Sequence, residues 1–409
     1  MSADPGPLSG LRILDLTAVI AGPYCSQFLG DFGADVIKVE KPEGDLTRNV
    51  GAQRNPNMSA NFLIFNRNKR SVVLDLKQKE GREALLRLAA TCDAVVTNFR
   101  PAALRKLGIA FKDIKSVNEA IVYCQIVGFG EDHPSHDRPG IDDVIQSMTG
   151  IVSLQGELTG EPGYVALPLA DLTCALFAVS GIMAALYRKR DTGQGGEVEI
   201  RMYDVMASFN LSPHLSGWSF EPPISPPIYQ RSVAKNRRPF RTRDGSICLA
   251  PYTDRVWRRF LALIDRTELL NEPRFASTYE RSKHLDELYA IMVPIVASRS
   301  TAEWMDLLVA NDIPASPVQS TMDLVRDPTL RSAGVLGVYT HPTEGQVRLM
   351  SSPIRFSGSA GGITRMPPTL GQHSFEVLGE LGYSQRELKE MAGHGVTVAP
   401  SATDSNDGP

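Results

Sequence analysis

The chain has 409 residues, 42% hydrophobic and 22% charged, with a formal net charge of −3. That length accommodates two soluble domains, and the near-neutral balance excludes a dominant basic surface for nucleic acid or an anionic membrane. The five cysteines, Cys25, Cys92, Cys124, Cys174 and Cys248, are scattered without CxxC or Cys/His spacing. A reducing cytoplasm is therefore expected rather than a disulfide frame.

The start, MSADPGPLSG, lacks a basic stretch followed by an apolar core, so no signal peptide is expected. Leu11–Leu16 reads as a strand, a helix opens at Gly22-Pro23 and ends at Gly33, and Asp35–Glu40 is the next strand. Ser71–Leu76, Asp93–Thr97, Ala120–Val127 and Gly196–Met202 continue the series, with helices over Gln78–Ala90 and Pro101–Leu107 between them. Strands alternating with helices predict a mostly parallel, doubly wound, Rossmann-like α/β sheet.

Pro168–Arg190 (PLADLTCALFAVSGIMAALYRKR) carries no charge between Asp171 and Arg188. Its apolar residues fall at helical spacing, so it reads as a helix buried on most sides. The run is about 16 residues, short of the roughly 20 that a membrane span needs. Asp171 reads locally as an N-cap, and equally as a carboxylate held rigidly for chemistry. Prolines 222, 223, 226 and 227 then mark a stiff linker. A hairpin follows over Arg241–Ala250 with its turn at Asp244-Gly245, then helices over Thr253–Ile264, Ser282–Ala297 and Thr301–Ala310. The predicted division is a large domain over 1–215, linker and small α/β domain over 216–330, a return to the large domain over 331–400, and a disordered tail over 401–409.

P-loop, G-x-G-x-x-G and G-x-S-x-G motifs are absent, which argues against phosphate-loop, dinucleotide and hydrolase chemistry. His133 and His136 do not have metal-ligand spacing. What remains is carboxylate chemistry beside cations that follow strand ends: Lys41, Arg48, Lys77, Arg100, Arg105 and Lys106. Carboxyl ends of parallel strands are where such sheets bind ligands, and a cationic rim there suits a nucleotide diphosphate.

Several segments resemble the family III CoA transferases, which include formyl-CoA transferase and carnitine CoA-transferase. They are LSGLRILDLTAVIAGPYCSQFLGDFGADVIKVEKPEGD, NRNKRSVVLDLK, VTNFRP, PGIDDVIQSMTGI, the Asp171 helix with its following strand, and PTLGQHSFEVLGELGYS. The resemblance runs in order over nearly the whole chain. It implies a Rossmann-like large domain with a smaller α/β domain, in an interlocked homodimer. It implies acyl-CoA and carboxylic acid substrates, with no cofactor beyond the CoA thioester. By the same match Asp171 is the nucleophile and Asp142 a second active-site acid, where formyl-CoA transferase has Glu. CoA contacts fall at Val19, Ala21, Lys41, Leu74, Lys77, Asn98, Phe99, Lys106 and Met202. Lys41 and Lys106 stand where formyl-CoA transferase has arginines, so a phosphate there meets a point charge instead of a planar fork.

Two departures bear on the substrate. The glycine run of formyl-CoA transferase is missing, and SVAKNRRPFRTRDG stands there, bringing Asn236 or Arg237 toward the substrate. Arg237, Arg238, Arg241 and Arg243 form a basic stretch suited to the far carboxylate of a dicarboxylic acid, or simply to solvent. Two alternatives stay open. An α-methylacyl-CoA racemase needs opposed bases, and Ile141 stands where the racemases have histidine before the equivalent of Asp142. A non-catalytic CoA-binding protein would not need Asp171.

Overall fold

The structure is a computed structural model that describes residues 6–357 and 362–399; the expected tail over 401–409 lies outside them. It divides into two compact units. One comprises Met1–Met148, Leu167–Met206 and Pro328–Pro409; the other comprises Thr149–Ala166 and Ala207–Asp327. Residues 149–166 thus group with the second unit, although they read in sequence as part of the large domain.

The first unit is built on six strands: β1 (Arg12–Leu16), β2 (Asp35–Glu40), β3 (Lys69–Val73), β4 (Ala94–Thr97), β5 (Val122–Val127) and β6 (Gly196–Arg201). All pair in parallel in the order β3-β2-β1-β4-β5-β6. This is the doubly wound order, and its direction reverses between β1 and β4. β3, β4 and β5 are buried at every position, as expected of strands covered on both faces. β3 begins at Lys69, two residues before its predicted start, because Lys69 and Arg70 are buried in ion pairs and do not read as strand residues.

β3 is an edge, and the returning C-terminal segment covers it. Val73 donates from its amide to Ser374 Oγ at 3.0 Å and accepts at its carbonyl from Thr397 Oγ1 at 2.7 Å. Helices Ser374–Glu380 and Gln385–Gly393 place Val377, Leu378, Leu388 and Met391 in the same core as Leu14, Ile37 and Val95. Pairing and covering the edge in this way removes an open strand from solvent.

The long helix, Leu169–Thr192, lies against the Ala21–Asp31 helix, β5 and β6. It is long and apolar enough to cross a membrane by length and composition. Its packed face is made of Ala170, Cys174, Ala175, Ala178, Ile182 and Leu186, mostly small residues that allow close approach. Leu176, Phe177 and Tyr187 are exposed, so the helix is not buried on most sides as the sequence suggested. Its charge-free run hid the difference between the small inward residues and the large outward ones.

The second unit has its own core of Trp257, Phe260, Phe275, Met292 and Trp304. Its sheet is antiparallel: β7 (Phe240–Arg241) and β8 (Ser246–Leu249) form the predicted hairpin, and β9 (Ala315–Pro317) pairs along β8.

Gly128 and Gly140 pass each other at the end of β5. A Cβ on Gly140 would lie 2.3 Å from Gly128 Cα, so only glycine permits the approach. Gly140→Ala is expected to destabilise the protein by roughly 1–3 kcal/mol through overpacking, read as a lower urea midpoint at unchanged m.

Candidate active site

A cleft of about 460 Å³ opens in the first unit at the carboxyl ends of β1, β4, β5 and β6. It includes the point between β1 and β4 where the strand order reverses, the usual ligand position in such sheets. Val19, Ile20 and Ala21 enter from the loop after β1; Asn98, Phe99 and Arg100 from the loop after β4; Met202 from the end of β6. Asp142, Asp143 and Asp171 also line it.

Two connected helix starts bring the carboxylates together. Asp142 opens the helix Asp142–Met148, and its Oδ2 accepts from Gln146 Nε2 at 2.6 Å, one turn on. Its Oδ1 accepts from the amides of Ala170 at 2.7 Å and Asp171 at 3.1 Å. The residue at the N-cap of the long helix is Pro168, which has no side-chain acceptor. Asp142 therefore caps that helix from a distant segment, satisfying two free N–H groups. Asp171 is not the N-cap that local sequence suggested. The helix starts at Leu169, which puts Asp171 within its first turn.

Burial, then the charges of Asp142 and Asp143, push the Asp171 carboxyl up to about 7. The positive helix end works against that shift and is partly taken up by Asp142. The result is a half-buried carboxyl that exchanges its proton near neutrality and faces an open cleft.

The wall opposite is the segment between β5 and Asp142. His133 stacks on Phe129 with ring centroids 4.8 Å apart and takes the Ser135 amide on Nδ1 at 3.0 Å. His136 binds the His133 carbonyl at 3.1 Å through Nδ1 and faces Asp137 at 3.1 Å through Nε2. The two histidines thus shape this wall, and Arg138 follows them into the cleft lining.

Arg100, one of the strand-end cations, lines the cleft, and seven of the eleven site residues that the resemblance implies meet here: Val19, Ala21, Asn98, Phe99, Asp142, Asp171 and Met202. Four do not line this cleft. Leu74 is fully buried in the core, whereas Lys41, Lys77 and Lys106 are exposed on the surface. Arg48, expected among the strand-end cations, is fully buried and forked onto Glu40 by two bonds of 2.7 Å. Ile20 and Arg138 were not anticipated; the Pro139-Gly140 turn after Arg138 was the signal that could have marked the wall. In the second unit, Arg237, Arg238, Arg241 and Arg243 are exposed, Arg243 pairs with Glu303 at 3.0 Å, and the Asn236 amide donates to Asp286 at 2.6 Å.

The chain belongs to CoA-transferase family III, whose sequence profile matches residues 8–374. It is 34% identical over 400 residues to the succinate–glutarate CoA-transferase of Agrobacterium fabrum, covering 93% of this chain and 97% of that one. It is 33% identical over 421 residues to a formyl-CoA:oxalate CoA-transferase of Rhodopseudomonas palustris, covering 96% of this chain and 98% of that one. A solved structure, a CAIB/BAIF family protein from Brucella suis, matches with a TM-score of 0.77 at 30% identity, over 92% of this chain and 100% of that one. The protein is thus a CoA-transferase with a mixed α/β fold.

The raised carboxyl has a consequence for stability. Between its ordinary value of 3.8 and about 7, the folded chain holds a proton that the unfolded chain gives up, so Asp171 makes stability fall as pH rises across that interval. Asp171→Asn is expected to raise Tm at pH 8 more than at pH 4, and Asp142→Asn to move the Asp171 titration downward. Thermal melts across pH and carboxyl NMR check both.

Proposed function

We propose that the protein moves CoA from an acyl-CoA thioester to a carboxylic acid, with Asp171 as the covalent nucleophile. The observation that carries this is a carboxyl titrating near neutrality, fixed on the first turn of a packed helix and facing a cleft at the sheet's switch point. The Asp171 oxygen attacks the thioester carbonyl; the C–S bond breaks, giving an acyl–aspartyl anhydride and CoA thiolate. The thiolate attacks the aspartyl carbonyl, releasing the donor acid and leaving an aspartyl-CoA thioester. The acceptor carboxylate attacks that thioester, expelling the thiolate and forming an aspartyl–acceptor anhydride; the thiolate then attacks the acceptor's acyl carbon, the C–O bond to Asp171 breaks, and the free carboxylate and the new acyl-CoA result. No redox step occurs, and CoA is substrate throughout.

Asp142 holds the Asp171 backbone in this scheme and raises the Asp171 carboxyl by its charge. An alternating-proton racemase has less support. Ile141 lines the cleft with nothing to titrate, and His136 is engaged with His133 and Asp137. Dicarboxylic acids are the proposed substrate class, supported by the names of the Agrobacterium fabrum and Rhodopseudomonas palustris relatives and by the basic stretch over 237–243. A cytoplasmic location suits Cys25, Cys92, Cys124 and Cys174, all free thiols buried in the core.

Incubation with succinyl-CoA followed by rapid acid quench is expected to place an acyl or CoA adduct on the Asp171 peptide. Asp171→Ala is expected to bind CoA and lose transfer by at least about a thousandfold. Retained turnover, or an adduct mapping elsewhere, rejects the nucleophile. Turnover of monocarboxylic acids as fast as C4–C6 dicarboxylic acids rejects the substrate class.

The active form is proposed to be an interlocked homodimer. Leu176, Phe177 and Tyr187 leave an apolar stripe on the long helix that a second copy would cover. Light scattering should give twice the 44.7 kDa chain mass, and a monomer at micromolar concentration rejects the assembly.

A further inference from the structure

We propose that Lys38 and Asp45, neither of which lines the cleft, form a buried latch that sets the shape of the Thr17–Ala21 loop, whose Val19–Ala21 end is a wall of the cleft, and are positioning residues for CoA. The inference rests on the functional reading above for its ligand. The two side chains are 3.0 Å apart and almost wholly excluded from solvent.

Both members of the pair also hold the loop after β1. Lys38 Nζ donates to the Thr17 carbonyl at 2.8 Å, and Asp45 Oδ1 accepts from the Val19 amide at 3.2 Å. Between them Ala18 is gripped from the other side. Its amide donates to Asn98 Oδ1 at 2.9 Å, and its carbonyl accepts from Asn98 Nδ2 at 2.8 Å. Four successive backbone groups of the loop are thus fixed by three side chains from three other segments.

The loop needs this restraint. Val19 has φ of 71°, a left-handed conformation that a β-branched residue adopts at a cost and keeps only where its surroundings impose it. That backbone leaves the Val19 side chain 40% exposed at the cleft and sends Ile20 and Ala21 along the same wall. The latch is itself fixed. The Asp45 amide donates to Glu40 Oε2 at 3.0 Å, and Asp45 Oδ1 takes the Thr47 amide and hydroxyl, each at 2.9 Å. Burial alone would lower the Lys38 ammonium, but Asp45, Asp15 and Glu40 more than reverse it, so the lysine stays charged.

Breaking a buried ion pair anywhere in the core would also loosen the fold, so the test separates loop shape from folding. The double variant Lys38→Met/Asp45→Leu removes both charges together and leaves none unpaired, which buried pairs tolerate. The comparison variant is Asp31→Asn, which breaks the equally buried Asp31–Arg67 pair at 2.6 Å without touching the loop. Binding of free CoA is measured by titration calorimetry on full-length protein, at a temperature where circular dichroism shows each variant folded. The double variant is expected to weaken CoA binding by roughly tenfold, as when about a tenth of the population keeps the binding shape, with the KM for the acceptor acid unchanged. Asp31→Asn is expected to lower Tm and leave CoA binding as in the wild type. A folded double variant that binds CoA like the wild type overturns the latch. So does equal weakening in both variants, which would assign the effect to general loosening. Asp45→Asn, which removes the charge paired with Lys38, serves if the double variant does not fold: it is expected to weaken CoA binding in the same direction, and a folded Asp45→Asn that binds CoA at wild-type strength overturns the proposal there too. A wild type that binds no CoA overturns the functional reading itself.

Discussion

Opposite charges buried under the front of the sheet set much of what this fold can do. Asp15, Lys38, Arg48 and Lys69 are fully enclosed, and Glu40 and Asp45 nearly so. Asp15 meets Lys69 at 3.0 Å and also accepts from Ser26 at 2.6 Å, and its carboxyl is held far below the usual range despite burial, by Lys69 and Lys38. Lys69 in turn donates to the Pro23 carbonyl and to Asn66, so the start of the first helix is tied to β3. Breaking one member of such a group leaves a charge without water or partner, which is why the arrangement is rigid, whatever its net contribution to stability. That rigidity is delivered to the loop after β1, which carries one wall of the cleft.

The second organising contact is smaller. One carboxylate, Asp142, uses one oxygen for two amides of a helix that begins 27 residues later in the chain and the other for Gln146. It couples the Gly128–Gly140 crossing to the first turn of the Asp171 helix. Since Asp142 is also, after burial, one of the charges that raise the Asp171 carboxyl, a single group holds the position of the acid beside it and adds to its proton affinity. A glutamate at 142 would have to reach the same amides from one methylene further back, so the aspartate goes with the close approach of these two helices.

The sheet was legible in the sequence because its strands are near-continuous apolar runs separated by helices, and DVIKVE and DAVVT mark β2 and β4 within a residue or so. The start of β3 was not, because Lys69 and Arg70 look like surface residues until their partners Asp15 and Asp35 are in place. Arg48 misled for the same reason, since its distance along the chain from Glu40 says nothing of their fork. The helices over Asp142–Met148 and Ile151–Thr159 have no counterpart among the predicted elements. Of the candidate site, the segments that pass over strand ends, at Val19–Ala21, Asn98–Phe99 and Met202, follow from topology once the strands are known. Lys41 and Lys77 also follow strands, and Lys106 lies in the last turn of the Pro101–Leu107 helix, but long flexible side chains exposed to solvent are not directed by topology. The role of Asp142 as a remote cap required the tertiary contact.

The same physical condition bears on both demands that the proposed nucleophilic role would place on Asp171. Partial exclusion of water raises the Asp171 carboxyl toward neutrality, which makes its anion more basic than an ordinary surface aspartate. A more basic oxygen competes better with a thiolate for an acyl carbon, yet enough of it is ionised near pH 7 to react. An anhydride formed there in the proposed reaction would keep the energy of the thioester only while water is absent, because hydrolysis would release it without transfer. A site wet enough to restore an ordinary aspartate would therefore lose on both counts: a weaker nucleophile and a shorter-lived intermediate. Burial of Asp171 on the first turn of a helix packed against the sheet satisfies both demands with one placement.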